Sequence, residues 1–282
     1  MNAHVDVLEL ASRLKSSEEP FVLATVVRTI SVTAAKAGAK AVIRPDGTIV
    51  AGWIGGGCAR GAVLKAAREA LSDGRTRLVS VQPEDLLATL GVKPGENRDG
   101  VRFARNMCPS QGSMDIFIEP VLPRPPLLIL GASPVASAIA DLARKLDYHV
   151  TLAAPVCDFA EMPEADVLVD GFALAPAERG FRYVVIATQG KGDEAAAETA
   201  LSIPADYCGF VGSRRKMAAL RQSFVDRGVA AEILDRFKGP AGLDLGAITP
   251  EEIALSVLAE ITQIRRRGQR DGRNPPISVG KE

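Results

Sequence analysis

The sequence predicts an α/β protein of two domains, a mixed-sheet half followed by a half built on a parallel sheet. Three observations carry this. Beyond residue 126, short apolar runs such as LLIL, YHVTLAA and YVVIAT alternate with helix-length segments, the order that yields a parallel sheet covered on both faces. In the first half, AKAVIRPDGTIVAGW reads as a hairpin with Asp46-Gly47 at its turn. Between them, LPRPP at 122–126 puts three prolines in five residues, which suits neither a helix nor a sheet interior. The expected ranges are 1–121 for the first domain, 122–126 for a linker, 127–267 for the second domain and 268–282 for a loose tail.

Taken in order, Val5, Leu8, Leu10 and Leu14 mark an opening amphipathic helix, and FVLATVVRT a strand. The hairpin comes next. Val63, Leu64, Ala67, Ala70 and Leu71 then recur on one helical face, and Asp73-Gly74 stops that helix. RTRLVSV is a strand, GVKPGENRDG the clearest loop of this half, and MDIFIEPVL a further strand. In the second half LLILGASPVASAIADLARKL is strand, turn and helix. YHVTLAA, DVLVD and FRYVVIAT are strands, EAAAETALS is a helix, YCGFVG a strand, and SRRKMAALRQSFVDRG a helix. GPAGLDLGAITPEE is a structured loop before the last helix. There Thr249 and Glu252 form a capping box, Pro250 takes the first helical position, and Ile253, Val257, Ile261 and Ile264 line the core face.

Composition narrows the function classes. The 282 residues carry 34 basic and 34 acidic side chains, so no net field draws the chain to nucleic acid or an acidic membrane. No apolar run approaches the roughly 20 residues of a membrane span, and the first residues lack a signal-peptide pattern, so the expected location is the cytoplasm. Cys58, Cys108, Cys157 and Cys208 form no CxxC pair, and His4 and His149 give little support to a Cys–His nucleophile. No catalytic residue emerges.

GWIGGGC at 52–58 is the segment with the most chemical content. Gly55, Gly56 and Gly57 are expected to supply positive φ and close approach, with Cys58 at the start of a helix where free N–H groups favour a thiolate or a bound anion. A tight turn with a buried, inert cysteine accounts for the same pattern. In the second half Gly131, Ser133 and Ala136 occupy the places of a G-x-G-x-x-A fingerprint, but serine hinders pyrophosphate approach and LAAPV lacks the acid expected for a ribose. That argues against NAD. Gln189 and Gly190 in ATQGKGD, and Ser213, Arg214 and Arg215 in GSRRK, end strands and open helices, where a phosphate would sit. A solvated basic helix start explains GSRRK as well.

These stretches together resemble the XdhC/CoxI family, accessory factors of molybdenum hydroxylases such as xanthine and carbon monoxide dehydrogenase. The resemblance rests on ATVVRT, GAKAVIRPDGTIVAGWIGGGC, CPSQGSMDIFIEP, LLILGASPVASAIADLA, GFVGSRRKMAAL and GPAGLDLGAITPEEIALSVLAEI. It implies an N-terminal family domain and a Rossmann-like domain, often in a homodimer. It also implies a chaperone that binds molybdenum cofactor, shields it and delivers it to an apo-hydroxylase, with a sulfur donor protein as a further partner. The family commonly has glycine at the place of Ser133 and Asp-Pro near Ala154-Pro155. ATQGKGD differs from the Thr-His-Asp type of sequence frequent in relatives of xanthine dehydrogenase factors and leans toward the carbon monoxide dehydrogenase-associated branch. Under this resemblance Gly55 to Cys58 offer amide donors and a soft ligand, and Cys58 with Cys108 suits copper(I). A nucleotide-dependent enzyme of sulfur or metal insertion and a copper(I) carrier are the alternatives.

Overall fold

The computed structural model describes residues 6–109, 111–174 and 180–270, without the side chains of Cys58 and of residues 268–270. The chain divides into two units, one ending at Pro123 and the other spanning Arg124–Arg270.

The first unit runs α1 (Val7–Ser16), β1 (Phe21–Ile30), β2 (Lys40–Ile43), β3 (Ile49–Gly52), α2 (Gly57–Asp73), β4 (Arg77–Gln82), α3 (Glu84–Leu90), β5 (Asn97–Arg98), β6 (Val101–Arg105) and β7 (Ser113–Val121). Its sheet has the order β3-β2-β1-β7-β4-β6-β5, antiparallel except between β4 and β6. Val63, Ala66, Ala67, Ala70 and Leu71 of α2 pack on Val79, Val81, Met114, Ile116 and Ile118. The small alanines let the helix lie close to the strands. α1 covers the opposite face over β1 to β3, through Leu10 and Leu14 against Phe21, Val42 and Ala51. Leu8, expected on the buried stripe, is exposed, and Val5 lies outside the described residues.

Two features of this unit differ from the sequence reading. GVKPGENRDG is not all loop: Asp99 and Gly100 have φ of 53° and 78°, and Arg98 pairs with Val101 across them. Two successive positive φ values make a hairpin turn whose twist matches the strands it joins, and Asp-Gly was its signal. α3 also went unread, because seven residues with only Leu87 buried carry too little periodicity.

The second unit runs β8 (Pro126–Leu130), α4 (Pro134–Lys145), β9 (His149–Ala154), β10 (Val167–Asp170), β11 (Tyr183–Ile186), α5 (Asp193–Ser202), β12 (Tyr207–Phe210), α6 (Arg214–Asp226), α7 (Ala231–Leu234), β13 (Phe237–Lys238) and α8 (Pro250–Arg270). The six strands are all parallel in the order β10-β9-β8-β11-β12-β13. This is the Rossmann-like arrangement, and the order reverses between β8 and β11, where such sheets open a crevice at their carboxyl ends. α4 and α8 bury one face, and α5, α6 and α7 the other. Pro126 is the first residue of β8, a place where a missing N–H is tolerated, so one residue of the expected linker is strand. α8 opens with the expected box: the Glu252 N–H donates to Thr249 Oγ1 (3.3 Å) and the Thr249 N–H to Glu252 Oε2 (3.0 Å). It continues to Arg270, three residues into the expected tail; residues 271–282 lie outside the described residues.

The GPAGLD block is anchored from below. Buried Glu260 accepts from the Tyr207 hydroxyl (2.8 Å) and the Gly242 N–H (2.9 Å), and is ion-paired with Lys238. Leu245 and Ile248 beyond this anchor are exposed.

Candidate functional site

The glycine-cysteine motif lies on one rim of the first sheet, at the ends of β1, β3, β4 and β6 and the beginnings of β2 and β7. Ile54 is fully buried and pins the turn, while Trp53 beside it is 55% exposed. The three glycines are not equivalent. Gly55 alone has positive φ (115°), and a Cβ there would reach 3.5 Å from Met114 Sδ. Gly56 is an ordinary extended N-cap (φ −79°, ψ −170°) and Gly57 is the first helical residue, which corrects the expectation that all three are left-handed. What Gly56 and Gly57 provide is room, since no described atom lies within 4 Å of a Cβ built on either.

The start of α2 is open in a chemical sense. Gly56 has no side chain to cap the helix, and no acid stands in its first turn. Among the described residues, the N–H groups of Gly57, Cys58 and Ala59 therefore keep no side-chain acceptor at the positive end of a 17-residue helix. By contrast, α1, α4 and α6 are capped by Asp6, Ser133 and Ser213. Among the described residues this arrangement fits a phosphate-bearing ligand: amide donors without a side-chain acceptor, space for oxygens and no carboxylate in the helix's first turn. Cys108 is exposed in the loop leading to β7, whose Met114 lies 3.5 Å from where a Cβ on Gly55 would stand. Asn106 shapes that loop, accepting from the Cys108 N–H (2.9 Å) and donating to the Gly112 carbonyl (2.6 Å). The expected pairing of the Cys58 and Cys108 sulfurs lies outside the described residues. Among those described, no group of three or more His, Cys, Asp or Glu is placed to hold a metal.

In the second unit Gly131 and Ser133 stand at the reversal between β8 and β11. Gly131 has φ of 131°, and a Cβ there would fall 2.4 Å from the Ala187 carbonyl oxygen. The Ser133 hydroxyl is committed twice, donating to that same oxygen (2.5 Å) and accepting from the Ala136 N–H (3.1 Å). Pro134 has no N–H to offer, so Val135 holds the one first-turn amide of α4 not used internally. The geometry spends on the fold what a dinucleotide fingerprint spends on pyrophosphate.

Gln189 (φ 49°) and Gly190 (φ 100°) form the turn after β11, and Ser213 caps α6 with Arg214 and Arg215 exposed in its first turn. Sequence reading missed what joins these two turns. Asp193 accepts from Thr188 Oγ1 and from the Gly190 N–H (3.1 Å), and is ion-paired with Lys216 at 2.8 Å. Burial works to raise the Asp193 pKa, but the bonds from Lys216, Thr188 and Gly190 outweigh it and hold the carboxyl below its usual range. Nearby, Lys191 reaches Asp158 at 3.5 Å, an acid just past β9 that a search ending at Ala154 overlooks. Cys157 is exposed in the same short turn, whereas burial pushes the Cys208 thiol up to about 12. No described helix is long and apolar enough to cross a membrane.

Comparisons with known proteins agree with both halves. Residues 14–82 match the family model described as the XdhC and CoxI family, and residues 127–261 the one described as the XdhC Rossmann domain. The chain is 30% identical over 269 residues to the uncharacterized protein YqeB of Escherichia coli K12, covering 93% of this chain and 46% of that protein. It is 30% identical over 162 residues to a Bacillus subtilis protein named as a probable xanthine dehydrogenase subunit, covering 54% of this chain and 47% of that one. It is 25% identical over 313 residues to the molybdenum cofactor insertion chaperone PaoD of Escherichia coli K12, covering 98% and 93%. The chain thus spans about half the length of the first two relatives and nearly all of the third.

Proposed function

The chain belongs to the XdhC and CoxI family, and from that premise we propose that it is a maturation chaperone that binds molybdenum cofactor and inserts it into an apo-hydroxylase. The observation that carries this reading is the open start of α2, in the half that matches the family model. The end-to-end similarity to an insertion chaperone supports it. The N–H groups of Gly57, Cys58 and Ala59 would hold the cofactor's phosphate, and Gly56 and Gly57 leave the space it needs. The cofactor supplies redox chemistry to the client, and this chain needs only to bind, shield and release it. A thiolate at Cys58 would give the metal end a soft ligand during transit. The same proposal takes the client to be a hydroxylase of the xanthine or carbon monoxide dehydrogenase class, and the chaperone to act as a cytoplasmic homodimer served by a sulfur donor.

The test is anaerobic purification from cells that make the cofactor, followed by oxidation and pterin fluorescence of the released small molecules. Wild-type protein is expected to release a pterin, and Cys58→Ala to fold normally and release far less. Absence of any pterin from the wild type refutes the reading. Equal retention by Cys58→Ala refutes the ligand role alone.

A further inference from the structure

The first sheet carries a second concentration of polar groups, on the face away from α2. Strand register sets Arg28, Asp115, Ser80 and Phe103 side by side across β1, β7, β4 and β6. They alternate with the residues of β4 and β7 that pack on α2, so they face the other way. The hydrophobic cluster beneath α1 includes none of them.

Asp115 is 8% exposed. Its Oδ1 accepts from Ser80 Oγ and its Oδ2 from Arg28 Nε, both at 2.6 Å. Gln82, equally buried and two residues along β4, donates from Nε2 to Ser80 Oγ at 2.7 Å. Half-buried Phe103, Phe117 and Leu78 surround this polar row. The cation on Asp115 is of another kind: the Arg28 side chain is 61% exposed, and an irregularity between Val26 and Arg28 in β1 aims it at the carboxylate.

A buried carboxylate covered by an exposed guanidinium is a site where one N–H donor can replace another. Carboxylates select paired N–H groups in a plane, the pattern a guanidinium offers. The 2-amino-4-oxopyrimidine edge of a pterin, or of guanine, offers the same pair from an exocyclic amine and a ring nitrogen. That edge is uncharged, so burying it costs less than burying a guanidinium. The Gln82 amide has a second N–H for the ring carbonyl, and the phenylalanines offer apolar surface to the ring.

We propose that Asp115, with Ser80 and Gln82, forms a recognition site for a 2-amino-4-oxopyrimidine heterocycle, and that Arg28 occupies the carboxylate until the ligand displaces it. The site faces away from the open start of α2 and stands or falls apart from the reading given to that helix.

The experiment uses the full chain and free 6-hydroxymethylpterin, followed by the pterin's own fluorescence, with guanosine in a parallel titration to distinguish the two sources. Lumazine, the same bicycle with oxygen in place of the 2-amino group, is the control. Wild-type protein should bind pterin or guanosine at least tenfold more tightly than lumazine, and Asp115→Asn should erase that preference. Arg28→Ala should tighten binding severalfold by removing the competitor, an outcome a purely structural ion pair would not produce. Equal affinity for pterin and lumazine overturns the proposal, as does weaker binding in Arg28→Ala or no binding of either heterocycle by the wild type. The wild-type and Arg28→Ala results decide the question even if Asp115→Asn fails to fold.

Discussion

Replacing Gly131 with alanine tests the structural account of the β8–α4 turn. The new Cβ would lie 2.4 Å from the Ala187 carbonyl oxygen, 2.5 Å from its carbon and 2.8 Å from the Thr188 nitrogen, all backbone atoms that cannot rotate away. A φ of 131° is also a region that side-chain-bearing residues rarely occupy, at a cost of about 1–3 kcal/mol. Relief of the clash requires the turn to withdraw from β11, which breaks the Ser133–Ala187 hydrogen bond and adds about 1 kcal/mol. Together these come to roughly 2–4 kcal/mol, or a fall in melting temperature of about 4–16 °C for a unit of this size. Calorimetry of the full chain measures it. Gly56→Ala is the control, because its φ is −79° and its Cβ meets no described atom, so only the N-cap preference for glycine over alanine, about 1 kcal/mol, is expected. If the two variants melt alike, Gly131 is not held by close backbone approach and the account is wrong.

Other outcomes follow from the same geometry. NADH should bind no tighter than millimolar, since Pro134 and Ser133 leave α4 a single unused first-turn amide; micromolar affinity by fluorescence would contradict this. Asp193→Asn should destabilise the protein at neutral pH. The folded pKa of Asp193 is depressed, so its contribution is present above the unfolded carboxylate value and lost as pH falls through the folded one; melts of wild type and variant should converge in acid. A thiol reagent at pH 8 should label Cys157 quickly and Cys208 only on unfolding, as mass mapping would reveal, because burial raises the Cys208 pKa to about 12. Glu260→Ala should cost about 1–3 kcal/mol, as it strands the buried Tyr207 hydroxyl and removes the carboxylate beside half-exposed Lys238; a change under 0.5 kcal/mol in denaturant melts would count against the anchor.

The architecture was largely legible because each strong element advertised itself locally. The 3.6-residue stripe of α8, its Thr249–Glu252 box and the apolar runs of β8, β9 and β11 need no knowledge of their partners. The two-residue strands β5 and β13 and the one-turn α7 have no such signal, since pairing with a neighbour is what makes them elements at all. The candidate site divides the same way. GGGC was visible as composition, but only backbone angles reveal that Gly55 makes the turn while Gly56 and Gly57 make space. Asp115 and Ser80 are 35 residues apart, and Asp193 and Lys216 belong to different helices, so the sheet alone brings each pair together.

The double commitment of Ser133 bears on how this second unit can change over time. A glycine there would free the Ala136 N–H, yet it would also remove a helix cap and the tie to Ala187. The neighbouring Pro134 would still withhold an amide, so one substitution yields a weaker fold and no new ligand. Nucleotide binding at this turn would need at least two coordinated changes, the first of them a loss. Drift alone is poorly placed to cross such a step.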